Sequence, residues 1–106
     1  NAGTLAIGLR QPAGVCVGMA PWNAPVILGV RAIAMPLACG NTVVLKASEL
    51  CPAVHRLIVD AFVEAGFPAG VVNFIAHSAA DAPAVAPIDL TIMPTCAAVR
   101  LTTFRS

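Results

Sequence analysis

Charge is the scarcest property of this sequence. Only 10% of its 106 residues are Asp, Glu, Lys or Arg, and six basic against five acidic residues leave a net charge of +1. No run of Lys or Arg supplies the electrostatic footprint of a nucleic-acid binder, so no nucleic-acid partner is expected. Paired cysteine motifs are missing as well. Cys16, Cys39, Cys51 and Cys96 form no Cys-x-x-Cys and sit in apolar surroundings. A zinc site or a disulfide frame would want closer, paired spacing, so the expectation is buried free thiols in a reducing cytoplasm and no metal. Long apolar runs are absent too. The best stretch, Val26 to Cys39, carries Arg31 and Pro36 and falls short of the about 18 residues a membrane span needs. Asn1-Ala2-Gly3-Thr4 offers neither a charged segment nor a following apolar one, so no signal peptide is read. It also lacks an initiator Met, consistent with a chain cut at both ends. No glycine follows Gly70.

What the sequence has in excess is hydrophobicity. Apolar residues make up 58% and the mean hydropathy is +0.87. The length allows one small domain, yet a small free-standing domain must cover itself with polar surface. The composition therefore points to the interior of a larger soluble protein in preference to a membrane protein.

Thr4 to Leu9 and Ala13 to Met19 read as two extended runs around Gln11-Pro12. Val15-Cys16-Val17-Gly18-Met19 is nearly all apolar, the pattern of a strand buried on both faces. Pro21 and Pro25 bracket a turn, and Pro25 suits a first helical position, where its missing N–H costs nothing. Val26 to Ala38 follows as an apolar helix that Pro36 should kink or shorten, and Cys39-Gly40-Asn41 stops it. Thr42 to Lys46 is a β-branched central strand. Val54, Leu57, Ile58, Ala61, Phe62 and Ala65 then recur at helical spacing, with His55, Arg56, Asp60 and Glu64 on the other face. That helix opens near Pro52 and closes at Gly66. Val71 to Ile75 is a third strand. Strand, helix, strand, helix, strand with short links predicts an α/β fold, a parallel sheet in βαβαβ order with right-handed crossovers. Ser78-Ala79-Ala80-Asp81 resembles a capping box and predicts a helix start, which Pro83 and Pro87 oppose. Asp89 to Ser106 has neither a helical nor a strand period.

The polar residues fall where α/β sheets collect ligands, just past the carboxyl ends of strands. Asn23 follows the first buried strand. Its amide either donates to a developing oxyanion or satisfies backbone groups of its own turn. Lys46, Ser48 and Glu49 follow the second. Lys46 and Glu49 either hydrogen-bond the hydroxyls of a ribose or stand as solvated strand-end charges. Arg31, a lone cation among Val26, Ile27, Leu28, Val30, Ile33 and Met35, needs a partner or a route to water. His55 and His77 have no carboxylate or nucleophile at motif spacing and read as surface histidines.

Two blocks in order, Ala20-Pro21-Trp22-Asn23-Ala24-Pro25 and Gly40-Asn41-Thr42-Val43-Val44-Leu45-Lys46-Ala47-Ser48-Glu49, resemble the nucleotide-binding domain of the aldehyde dehydrogenase superfamily. The resemblance implies a partial Rossmann-like sheet, a fragment of a larger fold. It implies that Met19, Ala20, Pro21 and Trp22 line the cofactor cleft and that Asn23 helps form the oxyanion hole. Lys46, Ser48 and Glu49 would belong to the adenosine-ribose block, and Arg31, on the helix that flanks the substrate tunnel, would meet substrate. A carboxylate at Glu49 accepts from a 2′-hydroxyl and repels a 2′-phosphate, so NAD is expected over NADP. The phrases Gly29-Val30-Arg31-Ala32-Ile33-Ala34, Lys46-Ala47-Ser48-Glu49 and His77-Ser78-Ala79-Ala80-Asp81-Ala82-Pro83 look most like the bacterial aromatic-aldehyde subgroup, the salicylaldehyde or vanillin dehydrogenase type.

The implied reaction is oxidation of an aldehyde to its acid through a cysteine thiohemiacetal, by a cytoplasmic, homo-oligomeric parent. The resemblance runs from about Arg10 to Pro83 and fails after Val85. Residues 1–88 then form a partial dinucleotide-binding domain and residues 89–106 a tail outside the family pattern. The family's Gly-Gln-x-Cys nucleophile, the general base before its Leu-Gly-Gly run and its Gly-Ser-Thr-x-x-Gly phosphate turn are not in this sequence. An isolated chain is therefore expected to be inactive. A non-enzymatic nucleotide-binding or assembly fragment is the alternative reading, and a small membrane protein a third.

Overall fold

Proline and glycine punctuate the chain into short elements. The computed structural model describes residues 4–81 and 97–105. In order they are β1 (Thr4–Pro12), β2 (Val15–Met19), α1 (Pro25–Ala38), β3 (Thr42–Lys46), α2 (Pro52–Glu64), β4 (Val72–Ile75) and β5 (Ala97–Arg105), with a short 3₁₀ turn at Ala79–Asp81. β2, β3 and β4 form a parallel three-stranded sheet in that order. This is the expected βαβαβ unit. Both helices open on proline, Pro25 and Pro52, where the ring pre-sets the backbone. α1 packs on β2 and β3, α2 on β4 and on α1, so the two helices share one face of the sheet. Same-handed crossovers between sequential neighbours require that.

This one-sided cover corrects the reading of β2. Cys16 and Gly18 turn inward, while Val15 is 68% exposed and Met19 is exposed too. An all-apolar strand promised two buried faces, and within the described residues only the helix side is filled. The core under the helices comprises Cys16, Ala20, Ile33, Val43, Leu45, Ile58, Val59 and Val72. Two glycines set how closely α1 can approach. A Cβ on Gly18 would lie 2.9 Å from Ala32 Cβ and 3.0 Å from its carbonyl oxygen, and one on Gly29 would lie 2.8 Å from Ile58 Cδ1.

α2 is where expected, but its inward stripe is rotated. His55, Ile58 and Val59 are buried, whereas Leu57 is 68% exposed and Ala61 lies outside. Ile58 and Phe62 belong to both possible stripes, so apolar periodicity alone fits either. The short link from β3 and the contact with α1 choose the one containing His55. α1 is also not cut short by Pro36, which lies inside it and is buried, with Ala38 as the last helical residue. The stop is a Schellman turn: Gly40 N–H donates to Leu37 O and Asn41 N–H to Pro36 O, at 3.0 and 3.1 Å, with Gly40 at φ +81°. Buried Asn41 then ties the amino end of the unit together. Its Nδ2 donates to Pro36 O, and its Oδ1 accepts from Gly14 N–H, both at 2.9 Å.

β1 continues through Gln11 and Pro12, past the expected end at Leu9. It forms a separate antiparallel ribbon with β5, registered from Thr4↔Arg105 to Pro12↔Ala97. The tail with no clear period thus contains a strand, and the ladder supplies what its sequence does not. At Ser78 the expected helix start is a single 3₁₀ turn. Ser78 Oγ donates to Asp81 Oδ2 at 2.7 Å, and Asp81 N–H to Ser78 O at 3.1 Å. Pro83, Pro87 and Cys96 lie outside the described residues.

Candidate functional site at the carboxyl edge of the parallel sheet

Met19, Lys46 and Ile75 end their strands in one row across the sheet. The backbone ladder runs one residue further. Ala20 N–H donates to Lys46 O at 3.0 Å and Ala47 N–H to Ile75 O at 2.8 Å. Beyond it three segments part: Pro21-Trp22-Asn23, Ser48-Glu49-Leu50 and Ala76-His77-Ser78. The fold therefore brings together at one edge the two blocks read from the sequence and a third they did not include.

Between the second and third segments lies a cleft of ≈ 530 Å³ lined by Glu49, Pro52, Ala76, His77 and Ser78. Glu49 is exposed on its wall. His77 was read as a surface residue, yet it is half-buried and part of this lining. Its Nδ1 lies 2.7 Å from Ser78 O. A carbonyl only accepts, so Nδ1 is the donor in this contact. The signal that could have found His77 was its place just past a parallel strand, the same argument that singled out Lys46 and Glu49.

Lys46 is half-buried at the strand end and, with Met19, Ala20, Pro21 and Trp22, lies outside the cleft lining. Ala20 is buried beneath the edge, and Trp22 is 62% exposed. Asn23 is exposed, and among the described residues its side chain makes no hydrogen bond. The cap position of α1 falls to Ala24, so Asn23 does not satisfy its own turn. Ser48 is buried. Its Oγ accepts from Leu50 N–H at 3.3 Å, its carbonyl from Cys51 N–H at 3.4 Å, and its own N–H donates to His55 Nδ1 at 3.3 Å.

His55 is the clearest departure from expectation. It is fully buried, not on the surface. With Nδ1 accepting, the proton sits on Nε2, and that buried atom has no partner among the described residues. Arg31 is exposed on α1 between Ile27 and Met35, one turn away on either side. It reaches water and makes no ion pair among the described residues, where the ion pair is Arg56–Asp60 at 2.8 Å.

Cys16, Cys39 and Cys51 are free thiols. Burial pushes the Cys16 thiol up, and neighbouring Cys39 adds to the shift. That is the reverse of what an activated nucleophile needs. No cluster of His, Cys, Asp and Glu among the described residues could hold a metal ion. No helix among them is long and apolar enough to cross a membrane.

A parallel sheet covered by helices, with polar residues gathered at its carboxyl edge, defines an open α/β fold of the kind that collects ligands at that edge. The sequence model of the Aldehyde dehydrogenase family matches residues 1–99, so this chain belongs to that family. The match runs beyond Val85, where the motifs give out. A vanillin dehydrogenase from Pseudomonas sp. (strain HR199 / DSM 7063) is 65% identical over 83 residues, which cover 78% of this chain and 17% of that protein. A salicylaldehyde dehydrogenase from Pseudomonas putida G7, solved with salicylaldehyde, superposes with a TM-score of 0.74 at 50% identity, over 80% of this chain and 18% of that one. An NAD-dependent benzaldehyde dehydrogenase from Corynebacterium glutamicum gives 0.72 at 34% identity, over 76% and 17%. The chain thus spans less than a fifth of the length of these relatives.

Proposed function

We propose that this chain is a segment of the cofactor domain of an NAD-dependent enzyme that oxidises an aromatic aldehyde to its carboxylic acid. The observation that carries the reading is the cleft at the carboxyl edge, with the Glu49 carboxylate on its wall. Its size suits a nucleoside, and the Glu49 carboxylate on its wall suits a ribose hydroxyl; Lys46, at the end of β3 and outside the lining, would supply an ammonium donor by reaching toward it. NAD, when bound, supplies the hydride acceptor for the reaction. The chain's own residues hold and orient. Glu49 accepts from a 2′-hydroxyl and repels a 2′-phosphate, which favours NAD over NADP. Ser48 shapes the turn that presents Glu49. Met19, Ala20, Pro21 and Trp22 form the rim that leads to Asn23, whose unengaged amide is free to donate to an oxyanion on the substrate. Arg31, exposed on the helix that leaves this turn, faces the aromatic substrate. Relatives named for vanillin, salicylaldehyde and benzaldehyde support the aromatic substrate class.

The test is made in a full-length enzyme carrying this segment. Glu49→Gln removes the repulsion and keeps a hydrogen-bonding group, so the NAD to NADP ratio of kcat/KM should fall about tenfold, the equivalent of about 1.4 kcal/mol of relieved charge repulsion. Lys46→Ala removes a donor common to both cofactors and should raise both KM values. An unchanged ratio in Glu49→Gln, with both KM values unchanged in Lys46→Ala, would return the pair to solvated strand-end charges.

A further inference from the structure

We infer that His55 is a positioning residue for the cofactor segment: its Nδ1 lone pair fixes the backbone of Ser48 and so the direction in which Glu49 enters the cleft. The inference rests on the ribose reading of that segment.

The argument begins with a cost. His55 is completely buried, and its Nε2–H finds no partner among the described residues. An unsatisfied buried donor is destabilising, and an apolar side chain of similar size would fill the same space without it. What the imidazole supplies in return is one acceptor at one place. Ala47 is the last residue of its segment whose N–H is held by the sheet, through Ile75 O at 2.8 Å. Ser48 is the next residue and is buried. Its N–H has left the ladder, and no strand carbonyl takes it. His55, in the first turn of α2, reaches back seven positions and accepts it at 3.3 Å. Ser48 Oγ and carbonyl are already engaged by Leu50 and Cys51 N–H groups, so this bond engages the remaining backbone group of Ser48, at the head of the turn that contains Glu49.

The ring is also held from behind. A Cβ on Gly29 would lie 3.1 Å from His55 Cδ2, so α1 closes against the imidazole at the one residue without a side chain. One ring thus sits between the helix that leaves Asn23 and the loop that carries Glu49. The acceptor is the part of the ring that matters, because it is the atom hydrogen-bonded to the cofactor segment.

Three substitutions in a full-length enzyme carrying this segment separate the acceptor from the packing. His55→Leu fills the space without an acceptor. His55→Asn places its Oδ1 close to the position of Nδ1, and His55→Gln places its polar end near Nε2. With enzyme concentration set by active-site titration, His55→Leu should raise the KM for NAD about fivefold, with kcat within about twofold, as expected for the loss of one ordinary hydrogen bond's worth of ordering. His55→Asn should restore KM to within about twofold, and His55→Gln should not. If His55→Leu does not fold, the Asn and Gln pair carries the same comparison. Equal KM values in the variants that fold, or a loss confined to the amount of active enzyme, overturn the inference. Lys46→Ala is measured alongside. A raised NAD KM there with His55→Leu unchanged leaves the ribose reading standing and removes His55 from it. No change in either variant removes both.

Discussion

Asn23 and Gly18 show how differently single residues act in this unit. Asn23 is exposed, makes no hydrogen bond among the described residues and leaves the cap of α1 to Ala24. Its removal therefore takes nothing from the fold. In a full-length enzyme Asn23→Ala should lower kcat about 10²–10³-fold, the cost of one oxyanion donor, with a smaller change in NAD binding and an unchanged melting temperature. A kcat within about twofold of the parent would assign Asn23 no part in the chemistry. Gly18 is the opposite case. The atoms a Cβ would meet there, Ala32 Cβ and its backbone oxygen, cannot swing away. At Gly29 the nearest atom is the flexible end of Ile58, and alanine gains about 1 kcal/mol of helix propensity over glycine. Gly18→Ala should thus lower stability by about 1–3 kcal/mol, and Gly29→Ala by less. Urea midpoints of the two variants check this, and an equal or reversed order would mean that the helix shifts as a body.

At the scale of elements, the strands and helices were legible because their boundaries are chemical. Pro25 and Pro52 start helices, Gly40 and Gly66 take positive φ just past their ends, and β-branched runs lie between. The residues just past β2 and β3 were legible as a candidate site by the same logic, since a parallel sheet turns its carboxyl edge to ligands. Facing was harder to read. Two apolar stripes overlap on α2 at Ile58 and Phe62, and only the neighbouring helix decides that His55 points inward. A histidine among polar residues gives no sequence signal that it is buried. β5 could not be read at all, because its partner is β1, at the other end of the chain, and long-range pairing leaves no local period. His77 reads as a surface residue for a related reason: its place past a strand marks the edge, but the cleft that half-buries it is formed jointly by the β3–α2 link and the segment after β4.

For the molecule as a whole, the exposed apolar side chains matter most. Trp22, Val26, Ile27, Val30 and Met35 all stand in solvent along α1 and the turn before it, and Val15 and Met19 along β2. Soluble monomers seldom expose so many large apolar side chains on two faces of so small a unit, and the relatives are more than five times longer than the part matched here. The purified 106-residue chain should therefore bind a hydrophobic dye, self-associate in sedimentation runs and show no aldehyde-dependent NAD reduction, since the family's Gly-Gln-x-Cys nucleophile is not in this sequence. Dye-free, monomeric behaviour or enzyme-like turnover would contradict this. The Asn41 bonds bear on how such a unit moves. They fasten the start of β2 to the end of α1 at the sheet edge opposite the cleft. Opening fluctuations in a fold spare the most tightly bonded parts. By that rule the crossover is fastened at its base, and amide exchange should be slow at the Gly14 N–H that Asn41 Oδ1 holds.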